Sequence, residues 1–495
     1  MDVTTLLCTT AVFAIFLISL TALRHAPPSR RRRLPPSPGS PLPVVGHLHL
    51  LKQPLHRTFQ QFARLHGPIF SLKLGVRSVV VVASPDLVEE CFTANDVVLS
   101  NRPWVLVDKY IGYDHTTMSG EPYGPKWRAL RRLGAQEVLS AARLNAFSQI
   151  RHDQTRKTLK TLIVDSSNEN WELLQLRPLL FELIFNMIMR MLAGKTFSGA
   201  GDRFREMVSE VFEHAQTSNP EDFLPFLLLI DYRGLKKKMS ALGKKLDNFY
   251  RTLLEDHRRH KCDTIIGHLL SLQQSDQHLY TDQIIKGFIT NMIIAGTDTS
   301  VVTLEWAMSL LLNNPEALHK AKQEIESEIG FTRLIEEQDL PKLQYLHSII
   351  LETFRLFPPG PLVVPRESSA DCKIGGYDIP CGTIVLVNAW SIHRDPKVWE
   401  SPTMFKPERF QGRKEVEMNK LMPFGMGRRA CPGSGLGHRM VGLALGSLIQ
   451  CFDWERLDRK EIDLSEGVGL TMPKLKPLEA LYKPRQSIVK ILQNN

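Results

Sequence analysis

One cysteine lies in a loop whose composition could make its thiol a metal ligand. Residues 424–433 are Phe-Gly-Met-Gly-Arg-Arg-Ala-Cys-Pro-Gly, so Cys431 follows a pair of arginines and stands among glycines. Neighbouring cations lower the pKa of a thiol and favour the thiolate, which is the form that binds metals. Glycines let the main chain approach a large, flat ligand closely. A helix is predicted after the loop, over residues 440–452, and its N-terminus would stabilise the thiolate further. The alternative for a lone cysteine is a buried structural residue.

A second candidate site lies in the longest helical pattern of the chain, residues 281–314. Its middle, residues 295–300, is Ala-Gly-Thr-Asp-Thr-Ser. Asp298 puts a carboxylate among apolar residues, which is costly unless the group is used. Thr299 shares a helix face with the alanine four positions earlier, and Gly296 beside them leaves room for a small ligand. The alternative is a polar kink in which the helix backbone satisfies these groups, since glycine and threonine weaken a helix locally.

Two further pairs have helical spacing. Trp127 and Arg131 are four residues apart, and Glu352 and Arg355 are three apart, so each pair shares a helix face. Apolar neighbours predict that Glu352 and Arg355 are buried, where an unpaired charge is strongly destabilising. The first pair fits an exposed basic helix with a core tryptophan equally well.

Taken together, these segments resemble the cytochrome P450 superfamily, the haem-thiolate monooxygenases. Phe-x-x-Gly-x-Arg-x-Cys-x-Gly is matched at Phe424, Gly427, Arg429, Cys431 and Gly433. Residues 295–299 match the oxygen-activation element (Ala/Gly)-Gly-x-(Asp/Glu)-Thr. The resemblance implies that Cys431 is the axial thiolate ligand of the iron of haem b, which favours cleavage of the O–O bond. It also implies that Thr299 steadies the bound dioxygen and that Asp298 relays protons.

The resemblance assigns further residues to the cofactor and to its loop. Trp127, Arg131 and Arg366 would donate to the haem propionates. Glu352 and Arg355, completed by Arg409, would hold the cysteine loop in shape, a structural role. We interpret His393 as a hydrogen-bonding structural histidine rather than a second metal ligand. The residues predicted to contact the cofactor are Cys431, Trp127, Arg131, Arg366, Arg429, Phe424, Gly427, Gly433, Ala295 and Gly296.

Composition places the chain among globular proteins with a large core. It has 495 residues, of which 43% are hydrophobic and 23% charged. The net charge of +10 suits an anionic membrane surface or an acidic protein partner. No basic stripe with interleaved aromatic residues points to nucleic acid. The seven cysteines are scattered and include no Cys-x-x-Cys pair, which argues against disulfides and zinc and for a reducing compartment.

The N-terminal region predicts a membrane anchor followed by a hinge. Residues 6–23 form an uncharged, largely apolar run that is long enough to span a bilayer. The basic residues follow this run, so the positive-inside rule places the body in the cytosol, and an uncleaved anchor is favoured over a signal peptide. Prolines in residues 34–46 predict a semi-rigid spacer. We divide the chain into an anchor at 1–24, a basic and Pro-rich hinge at 25–46 and a haem-binding catalytic domain at 47–495.

The predicted fold class is mainly α with a smaller β-rich portion (α+β), a cytochrome P450 fold with an N-terminal transmembrane helix. Helices are predicted over residues 54–62, from residue 85, at 127–132, through most of 141–260, and over 281–314 and 340–357. Strands are predicted near 70–82 and 372–390, where β-branched residues alternate. Residues 101–125, which are rich in Gly, Pro, Tyr and Trp, predict a loop.

The resemblance implies an NADPH- and O2-dependent monooxygenase of the endoplasmic reticulum membrane, single-pass, with a cytosolic catalytic domain. The sequence most resembles the plant subfamily that includes isoflavone and lignan hydroxylases. The substrate would then be a lipophilic plant metabolite, either a phenolic or a terpenoid. Electrons would come through a separate flavoprotein reductase, docked by Arg128, Arg132 and Arg428. The open alternatives are oxidative ring coupling or methylenedioxy-bridge formation, a haem-thiolate isomerase or dehydratase, and a non-catalytic haem carrier.

The substrate would contact residues from several segments of the chain. The predicted lining is residues 104–118, 196–240, 362–364 and 467–472, with Met292 and Ile294. The apolar stretch 223–230 would cover the substrate channel or touch the membrane, and ordinary core is the alternative.

Overall fold

The structure is a computed structural model that describes residues 32–165, 170–197, 203–214, 219–412, 420–458, 460–469 and 471–493. The predicted anchor at residues 1–24 and the start of the predicted hinge lie outside these ranges. Among the described residues, no helix combines the length and the apolar character needed to cross a membrane.

Helices dominate the described chain, as the sequence predicted. The helices predicted over residues 54–62, 281–314 and 340–357 are found as α1, α12 and α14, while the loop predicted at 101–125 contains one short helix, α3. The α-helices are α1 (Leu55–His66), α2 (Pro85–Phe92), α3 (Leu106–Tyr110), α4 (Pro125–Leu133), α5 (Ala141–Ala146), α6 (Ser148–Asp165), α7 (Leu176–Ala193), α8 (Arg203–His214), α9 (Pro220–Phe223), α10 (Leu235–Arg259), α11 (Ile265–Ser275), α12 (Asp282–Asn313), α13 (Pro315–Glu328), α14 (Gln344–Leu356), α15 (Ala389–Ile392), α16 (Ser434–Cys451) and α17 (Gln486–Gln493).

Single turns of tighter or wider helix connect several of these elements. The 3-10 turns are Leu48–Leu50, Val98–Ser100, Pro225–Leu228, Tyr232–Gly234, Glu337–Lys342, Pro407–Phe410 and Gly427–Arg429, and a π-helical turn, Gly134–Val138, follows α4.

The strands form two small sheets and a separate hairpin. They are β1 (Ile69–Leu74), β2 (Arg77–Val82), β3 (Glu172–Gln175), β4 (Arg366–Glu367), β5 (Cys372–Ile374), β6 (Tyr377–Ile379), β7 (Ile384–Val387), β8 (Phe452–Glu455) and β9 (Glu479–Pro484). The four-stranded sheet has the order β1-β2-β7-β4, with β2 and β7 parallel. It and the β5–β6 hairpin confirm the predicted β-rich portion. The three-stranded sheet β3-β9-β8 was not predicted.

The long helix α12 crosses the main core. It begins after Thr281, whose hydroxyl accepts the N–H of Ile284 at 3.3 Å, and it ends at the predicted Asn314. At ~1.5 Å per residue it is about 48 Å long. Along most of its length its residues are buried, and it packs against α7, α14 and α16. The helix that carries the predicted oxygen-activation residues thus also touches the helix that follows the cysteine loop.

The described part of the predicted hinge is bound to the body of the protein. The N–H of Arg33 donates to the carboxylate of Asp378 at 2.8 Å, and the N–H of Asp378 donates to the Arg33 carbonyl at 2.8 Å. The N–H of Ser71 donates to the Pro36 carbonyl at 2.7 Å. Residues 32–46, predicted to form a semi-rigid spacer, therefore lie against the β5–β6 hairpin and β1.

Candidate functional site

The cysteine loop is closed by its own backbone. The N–H of Cys431 donates to the Phe424 carbonyl at 2.9 Å, and Gly425 and Gly427 have φ of 67° and 68°. These positive φ values favour glycine. A Cβ atom on Gly427 would collide with the carboxylate of Asp96. Gly427, predicted to contact the cofactor, is therefore required by the fold of the loop and by its neighbour.

The thiol of Cys431 receives two backbone donors at the start of α16. The N–H groups of Gly433 and Ser434 donate to its sulfur, and Arg131 lies near enough to attract a thiolate. Burial raises the pKa of the thiol, although the two N–H groups and Arg131 act in the opposite direction. Cys431 is nevertheless exposed, so the thiol has open space on one side. A metal cation bound there would supply the charge that a thiolate needs.

The two arginines of the loop do not supply that charge. Nε of Arg428 donates to the carboxylate of Asp96 at 2.8 Å, and its Nη1 donates to the Tyr123 hydroxyl at 2.7 Å. Nε of Arg429 donates to the Ser100 carbonyl at 2.8 Å. The expectation that this pair lowers the pKa of the thiol is wrong, because both side chains face other partners.

Three buried or partly buried arginines converge beside the cysteine loop. Arg102 was not singled out in the sequence; its Nη1 donates to the carbonyls of Val364 and Pro365 at 3.0 and 2.6 Å. Arg366 donates from Nη2 to the Met426 carbonyl at 2.9 Å, and its Nε is buried without a partner in the described chain. The third is Arg429. Arg102 thus binds the carbonyls of the 362–366 segment, and Arg366 of that segment binds a carbonyl of the cysteine loop.

These arginines repel one another. Burial, and then repulsion by Arg366 and Arg131, lowers the pKa of Arg429 to about 9. Burial lowers the pKa of Arg366 to about 10, and burial followed by repulsion from Arg366 and Arg429 lowers the pKa of Arg102. Such a cluster is stabilised by an anion, because buried cations require a partner.

The residues present fit a haem. A haem carries two carboxylates, which the arginine cluster and the unpartnered Nε of Arg366 suit, and its iron accepts a thiolate. Arg131 is half-buried, and its electrostatic partner among the described residues is Cys431. A Cβ atom on Gly433 would lie 3.8 Å from the sulfur, an ordinary van der Waals distance, so Gly433 borders the thiol.

Trp127 and Phe424 have protein partners of their own. Nε1 of Trp127 donates to the Met118 carbonyl at 3.1 Å, and the guanidinium of Arg429 lies 4.3 Å from the centre of the indole. The ring of Phe424 packs edge-on against Phe354 of α14, with 5.3 Å between the ring centres. In this structure both side chains shape the surroundings of the site.

Helix α12 continues without a break through residues 295–300. The Thr299 hydroxyl donates to the Ala295 carbonyl at 2.6 Å, so the helix backbone satisfies this group, as the alternative interpretation proposed, without a break in the helix. Ala295 is exposed although Met292 and Thr297 beside it are buried, which means that open space adjoins the helix there. A Cβ atom on Gly296 would meet Ile188 of α7 at 2.8 Å, so this glycine serves helix packing.

Asp298 contacts a distant part of the chain. Its Oδ2 accepts a hydrogen bond from the Thr471 hydroxyl at 2.6 Å. Burial raises the pKa of Asp298, while this hydrogen bond acts in the opposite direction. Burial therefore favours the protonated form of this carboxyl, and a group that can hold a proton is what a proton relay requires. Thr471 lies in the predicted lining segment 467–472 but had no predicted role.

The predicted triad is brought together in full. Nε and Nη2 of Arg355 donate to the two oxygens of Glu352 at 2.7 and 2.8 Å, and Nε of Arg409 donates to Oε1 at 3.0 Å. The side chains of Glu352 and Arg355 are completely buried. The two arginines also donate to backbone carbonyls of the meander at residues 393–404, namely those of His393, Pro402 and Met404 for Arg355 and those of Glu400 and Ser401 for Arg409.

His393 links this network to the cysteine loop. Its Nε2 accepts the N–H of Met422 at 3.1 Å, and its carbonyl accepts Nη1 of Arg355 at 2.7 Å. Burial, and then repulsion by Arg355 and Arg394, lowers the pKa of His393 to about 3. The neutral ring serves as a hydrogen-bond acceptor, in keeping with the structural role predicted for it. No group of three metal-ligating side chains occurs in the described part of the chain.

Two of the predicted substrate-lining segments, 104–118 and 196–240, meet at Asp222. Its Oδ1 accepts the N–H of Leu106 at 2.8 Å, which joins the 220–224 segment to α3. Burial raises the pKa of Asp222 to about 6. The N–H of Val76 donates to the Phe223 carbonyl at 3.0 Å, so the turn between β1 and β2 also holds this segment. Met292 is buried and Ile294 is half-buried.

Comparisons with known proteins agree with this geometry. The family described as "Cytochrome P450" matches residues 35–478. The chain is 55% identical to "Cytochrome P450 81Q32" of Catharanthus roseus, over 99% of both chains. It is 51% identical to "(+)-piperitol/(+)-sesamin synthase CYP81Q2" of Sesamum radiatum, over 97% of this chain and 96% of that one. It is 47% identical to "Isoflavone 2'-hydroxylase" of Glycyrrhiza echinata, over 98% and 97%.

A solved structure shows the same fold. "Zebra fish cytochrome P450 another structure with Progesterone" superposes with a TM-score of 0.75 at 23% identity, and the match covers 88% of this chain and all of that one.

Proposed function

This chain belongs to the cytochrome P450 family, and we propose on that premise that it oxidises a lipophilic plant phenolic at the expense of NADPH and O2. The family and the fold make it an oxidoreductase that incorporates oxygen from O2. The observation that carries the proposal is the combination of the Cys431 thiol, with two N–H donors and Arg131 beside it, and the arginine cluster of Arg102, Arg366 and Arg429. When bound, the haem supplies the activation of dioxygen.

The chain itself supplies proton handling on α12. The Thr299 hydroxyl lies next to the open space at Ala295, and Asp298 on the same turn carries a carboxyl whose pKa burial raises. Two protons are needed to reduce one oxygen atom of O2 to water, so a titratable carboxyl and a hydroxyl at this place support a monooxygenase. A haem carrier or an isomerase that takes no external electrons has no use for this pair.

The substrate class rests on the relatives. Two of them, at 47% identity over almost the whole chain, are named isoflavone 2'-hydroxylase and isoflavone 3'-hydroxylase. We therefore propose hydroxylation of an isoflavonoid or of a similar planar phenolic. The relative at 51% identity is named a synthase of piperitol and sesamin. That name favours, as a second candidate, oxidative ring coupling or methylenedioxy-bridge formation on a lignan-like phenolic.

Electrons would be delivered by a separate flavoprotein reductase. Arg128 and Arg132 on α4 are exposed and close in sequence to Arg131, so they offer an acidic partner a basic surface near the thiol. Arg428 does not belong to this surface, because its guanidinium is held by Asp96 and Tyr123.

Membrane attachment is a further part of the proposal. Phe226, Leu229 and Ile230 are exposed at 48%, 87% and 70%, and Val44 of the hinge at 63%. The turn between β1 and β2 joins the two segments, because the N–H of Gly75 donates to Val45 and that of Val76 to Phe223. Exposed apolar side chains on neighbouring segments support contact with a membrane. We propose the endoplasmic reticulum membrane, with residues 1–24 as a single-pass anchor and a cytosolic body.

Turnover with defined substrates tests the catalytic proposal. The protein, reconstituted with a P450 reductase and NADPH, is offered isoflavones, lignan phenols and, as a contrasting class, terpenoids. We expect oxygen- and NADPH-dependent products from a phenolic, with mass increased by one oxygen atom for hydroxylation or decreased by two hydrogens for ring formation. Cys431→Ser should abolish both turnover and the thiolate-type band of the reduced, carbon-monoxide-bound protein. Products from terpenoids alone would contradict the phenolic assignment.

Sedimentation tests the membrane proposal. Deletion of residues 1–31 leaves the bonds of Arg33 intact and should release part of the protein from microsomal membranes. Adding Leu229→Ser and Ile230→Ser should release the rest, with haem content unchanged. Complete release by the deletion alone would limit attachment to the anchor.

A further inference from the structure

Each member of the Asp298–Thr299 pair is engaged by a different part of the protein. The Thr299 hydroxyl donates to the Ala295 carbonyl, and the carboxyl of Asp298 accepts from the Thr471 hydroxyl, both at 2.6 Å. Thr471 lies 173 residues further along the chain. The acid is therefore directed toward the C-terminal segment.

The backbone around Thr471 is fixed by its neighbours. The N–H of Met472 donates to the Pro359 carbonyl at 3.1 Å, and the Met472 carbonyl accepts Nε1 of Trp306 at 2.8 Å. Trp306 stands on α12 two turns after Asp298 and is completely buried. Thr471 is itself only 9% exposed. Helix α12 thus holds the segment at two places, so the hydroxyl is presented to Asp298 from a rigid position.

An ion pair lies beside this contact. Nε of Arg177 donates to the carboxylate of Glu305 at 2.9 Å, and Nη2 of Arg177 donates to the Lys474 carbonyl at 2.8 Å. Arg177 attracts a charged Asp298 and Glu305 repels it, and these are the ionic groups that act on the acid. The Arg177 side chain is 30% exposed, whereas Glu305 is completely buried. Polar groups therefore extend from the surface toward Asp298 on the side where Thr471 lies.

We propose that Thr471 is a positioning residue for proton transfer: its hydroxyl holds the Asp298 carboxyl toward Arg177 and Glu305, the side from which protons reach it. The effect on turnover rests on the proposed monooxygenase function, whereas the effect on the carboxyl itself does not.

Infrared spectroscopy of the resting, haem-loaded protein tests the contact without any substrate. The carboxyl band of Asp298 is identified as the band that Asp298→Asn removes, and it is titrated with pH. Thr471→Val, of nearly the same shape, should move the band to higher frequency and its ionisation midpoint to higher pH, because a donor that stabilises the carboxylate is lost. Thr471→Ser, which keeps the hydroxyl, should resemble the unchanged protein.

Coupling measurements test the role in the reaction. Thr471→Val should lower product per NADPH about tenfold, the change that corresponds to one hydrogen bond to a charged group. The solvent deuterium isotope effect on product formation should rise, and Thr471→Ser should restore both. The matched control is Thr297→Val, the adjacent buried threonine whose Oγ1 has no partner in the described chain, and it should leave the Asp298 band unchanged.

Each outcome decides the proposal. If the Asp298 carboxyl band and its ionisation midpoint were unchanged in Thr471→Val, the hydrogen bond between Thr471 and Asp298 would be ruled out, even if monooxygenation had been demonstrated. A shifted band with unchanged product per NADPH and isotope effect would overturn the positioning role. Absence of product from the unchanged protein would count against the proposed function. The infrared measurement would still test whether Thr471 donates a hydrogen bond to Asp298.

Discussion

Replacing Glu352 by glutamine would show what the buried ion network contributes to the cysteine loop. Oε1 of Glu352 accepts three donors, from Arg355, Arg409 and the N–H of Lys406, and Oε2 accepts one more from Arg355. Glutamine removes the charge and turns one acceptor into an NH2 group that faces guanidinium donors. Breaking a buried pair by removing one partner costs about 3–5 kcal/mol.

The structure places the expected cost at the lower end of that range. Arg355 also donates to the carbonyls of His393, Pro402 and Met404, so it keeps three partners when the carboxylate is lost. We therefore expect a loss of about 3 kcal/mol, which is roughly a hundredfold in the equilibrium between folded and unfolded protein.

The assay follows unfolding by denaturant with two probes on the haem-loaded protein. The thiolate-type band of the reduced, carbon-monoxide-bound protein reports on the cysteine loop, and far-ultraviolet circular dichroism reports on the helices. Since the network reaches the loop through His393 and the N–H of Met422, the band should be lost at lower denaturant than the helices in Glu352→Gln. Glu255→Gln, at an exposed position inside α10, is the matched control and should change stability by less than about 0.5 kcal/mol.

An unchanged midpoint for the thiolate band in Glu352→Gln would refute this reasoning, because it would mean that the loop keeps its shape without the ion network. Equal shifts of the two probes would mean that the network stabilises the fold as a whole and has no particular connection to the loop.

Three further outcomes are expected. Thr299→Ala should keep haem and substrate binding, while product per NADPH falls at least about tenfold and release of hydrogen peroxide rises. The reason is that positioned proton transfer is worth ~10²–10⁴-fold in rate. An unchanged product yield would mean that Thr299 has only a structural role in the helix. Arg102→Gln should lower the haem-to-protein ratio after gel filtration, since it removes one cation of the cluster, and a full haem content would argue against its contact with the propionates. Burial raises the pKa of Asp222 to about 6, so the folded protein disfavours the ionised carboxylate. The free energy of unfolding should therefore fall as the pH rises from the ordinary pKa of an aspartate to about 6. Hydrogen exchange at the Leu106 amide, corrected for its intrinsic rate, should therefore rise as the pH passes from 5 to 7, and Asp222→Asn should remove that rise; a rise that persisted would exclude Asp222 as its source.

Much of the site could be predicted because its signals are local in sequence. The limits of α12 follow from Thr281 as a cap and from Asn314-Pro315 at its end, and the meeting of Glu352 with Arg355 follows from their spacing of three. These features depend on residues within one or two helical turns, and helix geometry is regular. The third member, Arg409, came from the resemblance, since no spacing connects it with Glu352.

The remainder depends on contacts between distant segments. The importance of Arg102 and Thr471 is invisible in their own surroundings, because their partners lie 262 and 173 residues away. The sheet β3-β9-β8 joins Glu172–Gln175 to Glu479–Pro484, and neither strand alone indicates the other. The direction in which Arg428 and Arg429 point is likewise set by tertiary contacts, which is why the pKa of the Cys431 thiol could not be read from the loop composition.

The meander at residues 393–404 has a consequence for how the sequence can change over evolutionary time. Arg355 and Arg409 hold it by five carbonyl oxygens, and every amino acid carries such an oxygen. Exposed side chains in this stretch can therefore drift while the path of the chain stays constant, and even Ser401, with φ of 44°, would accept glycine. Within the segment, His393 and Trp399 are buried and so constrained. The path of the rest is set by two arginines and one glutamate that lie outside it, so we expect more substitutions at its exposed positions than at those three.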